Sequence, residues 1–298
     1  MRKFRQSRRG NVMTLWLSFK SGIGFLSTIP VGISMEGIEA LMRKLYFYPV
    51  VGSFLGVLMA VGAVIAEMFF PSPMTVILIM GSIYQLTWFN HLDGVADMAD
   101  GMTAHGSLEK KRKALKDTIL GVGGAAGTVF ALLGLFAAIY SLENAASLFA
   151  EAGAALSYPF FGLLSVTGAG LPAVMALSVI VAELSAKQAM LTIATFGKSF
   201  HEGLGSMTID GGTHKNFTIG LVYSLIIAGL LLGASGIIAL IVSVLAALYV
   251  LRTSNRHFGG LNGDGIGTSN EAGRIAAYAS LALIFFTIAH GGFIWTLL

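Results

Sequence analysis

The run FTIGLVYSLIIAGLLLGASGIIALIVSVLAALYVL, residues 217–251, carries no charged side chain from end to end. A bilayer crossing takes about 17–25 residues, so this stretch is too long for one pass. Gly233-Ala234-Ser235-Gly236 near its middle predicts a break, and the run reads as two short spans in a tight hairpin. Working outward, further apolar runs occupy 45–70, 74–92, 118–141, 171–196 and 275–298, which makes about seven transmembrane helices. Residues 12–33 are apolar but contain Lys20 and reach Pro30; they are expected to form an interfacial or half-inserted helix. The tail before them, 1–11, is basic through Arg2, Lys3, Arg5, Arg8 and Arg9. No small-residue cleavage site follows, so it is not read as a signal peptide.

Composition agrees. The chain is 55% hydrophobic and 11% charged, with a mean hydropathy of +0.78, whereas soluble domains carry about 25% charged residues. The expected fold is all-α, a polytopic integral membrane bundle, with 1–298 as a single membrane-embedded catalytic domain. The absence of cysteine excludes disulfides, zinc–thiolate sites, iron–sulfur clusters and thiol nucleophiles.

Charge sorts the connections onto two sides. If 34–44, 93–117, 197–216 and 252–274 share one side with the basic N-terminal segment, that side and its adjoining helix ends take every Lys and Arg of the 19 but Lys187; 71–73, 142–170 and 234–236 contain none. The positive-inside rule makes the first set cytoplasmic and the C-terminus external. Carboxylates gather on the same side: Asp93, Asp97, Asp100 and Asp117, then Glu202 and Asp210, then Asp264 and Glu271. Within the spans only Glu67, Glu183 and Lys187 are charged, the last two spaced for an i,i+4 pair. A transporter normally places polar groups at the midplane or on both faces. One-sided chemistry points instead to a membrane enzyme.

The chemistry concentrates in HLDGVADMADG, residues 91–101. Spacings of four and three stack Asp93, Asp97 and Asp100 on one helical face, where like charges repel unless a cation holds them. Oxygen ligands without cysteine select a hard ion, Mg²⁺, and the reading is a metal-held diphosphate at the end of a membrane helix. Asp117 is either a further ligand or the cap of the next helix. The cluster at 110–116, Lys116 included, suits anionic headgroups or phosphates, and with Arg43 and Lys44 it supplies candidates to stabilise a leaving phosphate. In FGGLNGDGIG, residues 258–267, backbone N–H groups around Gly260 are expected to cradle an anion. Asn262 and Asp264 offer oxygen ligands or contacts to ribose hydroxyls, and Asn270 and Glu271 stand at the mouth of the last helix. Glu202, beside His201 and Gly203-Leu204-Gly205, is a weaker signal, and His91 is placed to orient a carboxylate. Asp93, Asp97 and Asp264 are the candidate proton acceptors.

HLDGVADMADG, LKDTILGVGG at 115–124, EGLG at 202–205 and FGGLNGDGIGTSNEAGR at 258–274 resemble, in order, the cobalamin synthase family of adenosylcobinamide-GDP ribazoletransferases, as do LSFKSGIGFLSTIPV near the start and YPVVG at 48–52. The resemblance implies a transfer that joins adenosylcobinamide-GDP to α-ribazole, or its 5′-phosphate, with release of GMP and with Mg²⁺ as cofactor. It implies a prokaryotic cell membrane and a site facing the cytoplasm. Expected partners are the two substrates, the lipid bilayer, other membrane-associated cobalamin-assembly enzymes and a second copy of the chain, with no nucleic acid. Two departures stand out: Asp117-Thr118-Ile119-Leu120-Gly121 lacks an arginine of the family pattern, and Arg274 stands where some members carry an acid. Two other enzyme classes share parts of the pattern. A CDP-alcohol phosphotransferase calls for Ala-Arg where Ala96-Asp97 stands, and an Asp-rich prenyltransferase needs a second acidic helix that 197–216 supplies poorly. A cation or solute transporter is the remaining alternative.

Overall fold

In hydrocarbon every backbone N–H and C=O must be satisfied within its own segment, so apolar runs of this length fold as helices. The computed structural model describes residues 2–151, 160–168 and 170–291, with side chains from Met13 onward. Residue 1 of the basic tail, 152–159 and 169 of the expected outer connection, and 292–298 of the expected last span lie outside the described residues. The helices are α1 (Arg2–Leu26), α2 (Met35–Met42), α3 (Phe47–Phe69), α4 (Met74–Thr87), α5 (Asn90–Thr103) and α6 (Leu108–Ala114), followed by α7 (Val122–Glu151), α8 (Leu164–Thr167), α9 (Leu171–Phe196), α10 (Leu204–Gly211), α11 (His214–Phe258) and α12 (Gly263–Ala289).

Five of them, α3, α7, α9, α11 and α12, are long and apolar enough to cross a membrane, and α4 is a shorter apolar helix. The 45 residues of α11 leave helical geometry at Leu232 and at Gly233, whose φ is 57°. The chain then doubles back. A Cβ placed on Gly236 falls 2.3 Å from the Ala228 carbonyl oxygen, whereas a continuous helix holds those positions about 12 Å apart. Segment 160–163 covers the bend: Leu163 N–H donates to Leu230 O at 2.6 Å, and Ser235 N–H to Phe160 O at 3.3 Å. Counting the two arms of α11 separately gives six long apolar segments among the described residues; α4, with 14 residues, stands at the place of the expected seventh and is shorter than a full crossing.

At the centre lies α9, with 89% of its most apolar window buried and α3, α11 and α12 packed around it. Small residues allow the approach. A Cβ on Gly56 would lie 2.8 Å from the Ile180 Cα, so α3 meets α9 backbone to backbone.

Several boundaries differ from the hydropathy reading, and α7 for one runs to Glu151, past the expected 141. The span expected at 74–92 stops at Thr87, because Trp88 (φ 51°) and Phe89 (φ 59°) turn left-handed and re-aim the chain into α5. The segments expected as loops at 93–117 and 252–274 are largely helical, as α5, α6 and the ends of α11 and α12. The last helix starts at Gly263, twelve residues before the expected 275, so the second half of the glycine-rich stretch belongs to its first turns.

Candidate functional site

Asp93 and Asp97 stand one turn apart on α5, and the fold sets the start of α12 against them. A Cβ on Gly94 would lie 2.7 Å from the Asp264 carbonyl oxygen, so only glycine permits this crossing. Thr268 Oγ1 donates to the Gly94 carbonyl at 2.9 Å and fixes the register. At the head of α12, Asn262 caps the helix by accepting from Gly265 N–H at 3.2 Å and donates its amide to Asp264 at 2.5 Å.

These elements surround a cavity of about 590 Å³. Its lining includes Asp93, Asp97, Lys116, Asp117, Thr118, His201, Glu202, Ser206, Asn262 and Asp264. Burial first, and then the charges of Asp264, Asp93 and Asp100, push the Asp97 carboxyl up from its ordinary 3.8 to about 7. That is the signature of carboxylates crowded without a counter-charge. Lys116 and His201 act on Asp264 from the opposite wall.

Among the described residues, no three acidic or imidazole side chains are gathered into a ready-made ion cage. The donor set nonetheless suits Mg²⁺, which retains several waters and takes one or two carboxylates together with substrate phosphate oxygens. Asp93 and Asp97 are the residues that would hold it, and Asp264 and Asp117 line the same cavity.

The remaining expected site residues separate. Asp100 does not line this cavity: its carboxylate accepts from Gly121 N–H and Gly124 N–H, both at 2.7 Å, and caps the start of α7. Asn270 and Glu271 are buried two turns inside α12 rather than at its mouth. There Lys187 donates to Asn270 Oδ1 at 2.7 Å, Asn270 to Glu271 at 3.0 Å and the Tyr84 hydroxyl to Glu271 at 3.2 Å. Arg274 pairs with both Glu183 and Glu271, and Lys187 lies 3.6 Å from Glu183 as the i,i+4 spacing predicts. This network ties α9 to α12 and does not touch the cavity. Arg43 is exposed, 3.8 Å from Glu39, on a separate groove beside α1. Gly260 packs against the Lys198 carbonyl, where a Cβ would fall at 2.8 Å; it shapes a turn and lines no part of the cavity. Of the basic cluster, Lys116 reaches the cavity, whereas Arg112 donates to Phe258 O at 2.8 Å and Lys111 sits 3.1 Å from His257. His91 is buried and lines a neighbouring cavity, its Nδ1 without a hydrogen-bond partner among the described residues. Ser206 and Thr118 were not among the site residues the sequence singles out; nothing in their local spacing marks them.

The fold and cavity define a multi-pass helical membrane enzyme with a carboxylate-lined site at one end of the bundle. A family model described as Cobalamin-5-phosphate synthase matches residues 18–282, and the chain belongs to that family. It is 49% identical to the adenosylcobinamide-GDP ribazoletransferase of Methanosarcina barkeri (strain Fusaro / DSM 804) over 292 residues, covering 95% of this chain and 98% of that one. The protein of the same name from Methanosarcina mazei is also 49% identical with the same coverage, and that of Methanococcoides burtonii is 44% identical over 94% of this chain and 97% of its own. No solved structure matches the chain.

Proposed function

We propose that the carboxylate cavity is where the chain, a transferase of cobalamin assembly, joins adenosylcobinamide-GDP to α-ribazole or its 5′-phosphate. The observation that carries this reading is the convergence of Asp93, Asp97 and Asp264 on one cavity, with the Asp97 carboxyl pushed up to about 7 by burial first and then by its acidic neighbours. In the reaction a ribose hydroxyl attacks the cobinamide-side phosphorus of the diphosphate. The new P–O bond forms as the bond to the GMP oxygen breaks, and the hydroxyl proton leaves to a base. Mg²⁺, when bound, neutralises the diphosphate and raises the electrophilicity of phosphorus. The chain's own share is placement and charge. Asp93 and Asp97 would hold the cation, Lys116 and His201 line the cavity where the phosphate charge would lie, Asn262 holds Asp264, and one of Asp93, Asp97 and Asp264 accepts the proton.

The carboxylate end faces the cytoplasm of a prokaryotic cell membrane in this reading. Support comes from the Lys and Arg that crowd the connections at that end and are missing from 71–73 and 234–236 at the other. Purified protein in lipid nanodiscs, given adenosylcobinamide-GDP, α-ribazole and Mg²⁺, is expected to release GMP in step with corrinoid product. Release that is independent of α-ribazole, or undiminished in Asp93→Asn, contradicts the reading.

A further inference from the structure

Next to the carboxylate cavity lies a second one, of about 360 Å³, between the end of α1, the start of α5, α10 and the start of α12. Leu204, Gly205 and Gly263 line both, so the partition is thin. It is also backbone: a Cβ on Gly205 would fall 2.5 Å from the Gly263 nitrogen. The other walls are mainly apolar, with Leu26, Ile33, Met190 and Ile266 among them. Tyr48 and Thr208 also face it but lie 3.5 Å from one another, and Thr208 donates to the Leu204 carbonyl at 3.1 Å. His91 is different: it is 8% exposed, and its Nδ1 has no hydrogen-bond partner among the described residues. A buried polar atom left unmatched is unfavourable unless a ligand completes it. The last torsion of a histidine ring is broad and roughly two-fold, so a half-turn exchanges its two nitrogen edges. An apolar cavity with few convergent polar groups suits a flat heteroaromatic ligand, and this one has room for a bicyclic base but not for a corrin.

We propose that this second cavity seats the planar base of the acceptor nucleoside, with His91 hydrogen-bonded to its free ring nitrogen and the ribose rounding the Gly205–Gly263 contact on the side of the exposed Leu204, which lines both cavities, to reach the carboxylates. The proposal rests on the ribazole-transfer reading and adds where the acceptor sits and what selects its base. An unglycosylated imidazole-type nitrogen is the one strong acceptor on such a base, and a site built around it disfavours bases that lack it.

Steady-state kinetics on the full chain in nanodiscs test this, with α-ribazole varied at saturating adenosylcobinamide-GDP. Ile33→Trp fills the cavity from a half-exposed loop position that does not line the carboxylate site. His91→Phe keeps the ring and removes its nitrogens, and His91→Gln restores an N–H. The expected result is a KM for α-ribazole raised roughly tenfold by the first two, partial recovery in His91→Gln, and an unmoved KM for adenosylcobinamide-GDP. Wild-type enzyme is also expected to prefer α-ribazole to the nucleoside of dimethylindole, which lacks the ring nitrogen, by roughly tenfold, a preference lost in His91→Phe. Should His91→Phe not fold, Ile33→Trp and the wild-type indole comparison decide. An unmoved KM in Ile33→Trp, or no wild-type preference, overturns the proposal even though GMP is released; a cavity filled by an acyl chain gives that outcome. Wild-type enzyme that releases no GMP strikes at the ribazole-transfer reading itself.

Discussion

Asp97 and Asp100 lie three residues apart on one helix and do different work. Asp97 faces Asp93 and Asp264 across the cavity, and its carboxyl is held near 7 by burial and by those charges. A carboxyl whose folded value is raised loses its proton first in the unfolded chain. The metal-free protein therefore loses stability as pH rises from about 4 to about 7, and the penalty is complete above that. Asp97→Asn is expected to flatten this slope and raise the metal-free melting temperature at pH 8, read by scanning fluorimetry, while lowering GMP release at least about a hundredfold. Because a proton and a dication compete for the same oxygens, Mg²⁺ affinity of the wild type is expected to climb between pH 6 and 7.5 and then level. Asp100 is pinned by the amides of Gly121 and Gly124. Asp100→Ala is expected to destabilise by about 1 kcal/mol, the ordinary effect of losing a helix cap, and to leave Mg²⁺ affinity within about threefold of wild type; a complete loss of Mg²⁺ binding contradicts the division. Spacing alone puts all three aspartates on one face. What separates Asp100 is the head of a helix some twenty residues later, which no local pattern shows.

Between elements, the crossing of α5 on α12 positions the site. Gly94→Val is expected to force the backbones apart, cost about 1–3 kcal/mol through overpacking and cut activity without removing a polar group; wild-type turnover in that variant contradicts the arrangement. Deeper in, Arg274 bridges Glu183 and Glu271 with no exposure to solvent. Arg274→Met leaves Glu271 buried without a paired cation and Glu183 with Lys187 alone, and is expected to destabilise by about 3–5 kcal/mol, seen as loss of the monodisperse peak in size-exclusion chromatography. Half of this network was legible, since Glu183 and Lys187 are four residues apart on an apolar run. The other half was not. Hydropathy starts the last helix at 275 because its first turns are glycine, polar and charged residues whose partners sit on α9 and α4, so Asn270 and Glu271 read as a loop facing substrate. The hairpin in α11 was legible because length and glycine coincide there, while the Trp88–Phe89 corner carries no glycine to announce it.

At the scale of the molecule, apolar surface faces outward along the bundle while polar chemistry collects at one end. The absence of cysteine makes the orientation directly testable. In intact cells a membrane-impermeant maleimide is expected to label Val166→Cys, exposed at the far end, and to miss Lys113→Cys on α6; the reverse pattern inverts the topology. Family membership supplies the reaction, and the cavity supplies a place for it, but the link between them is one physical claim: crowded carboxylates bind a dication that in turn grips a diphosphate. Titration calorimetry of Mg²⁺ into nanodisc-embedded protein with GDP present measures that link most directly. Saturable uptake by the wild type, lost in Asp93→Asn/Asp97→Asn while the protein stays folded, is the expected result; undiminished uptake by the double variant, or none by the wild type, contradicts the account.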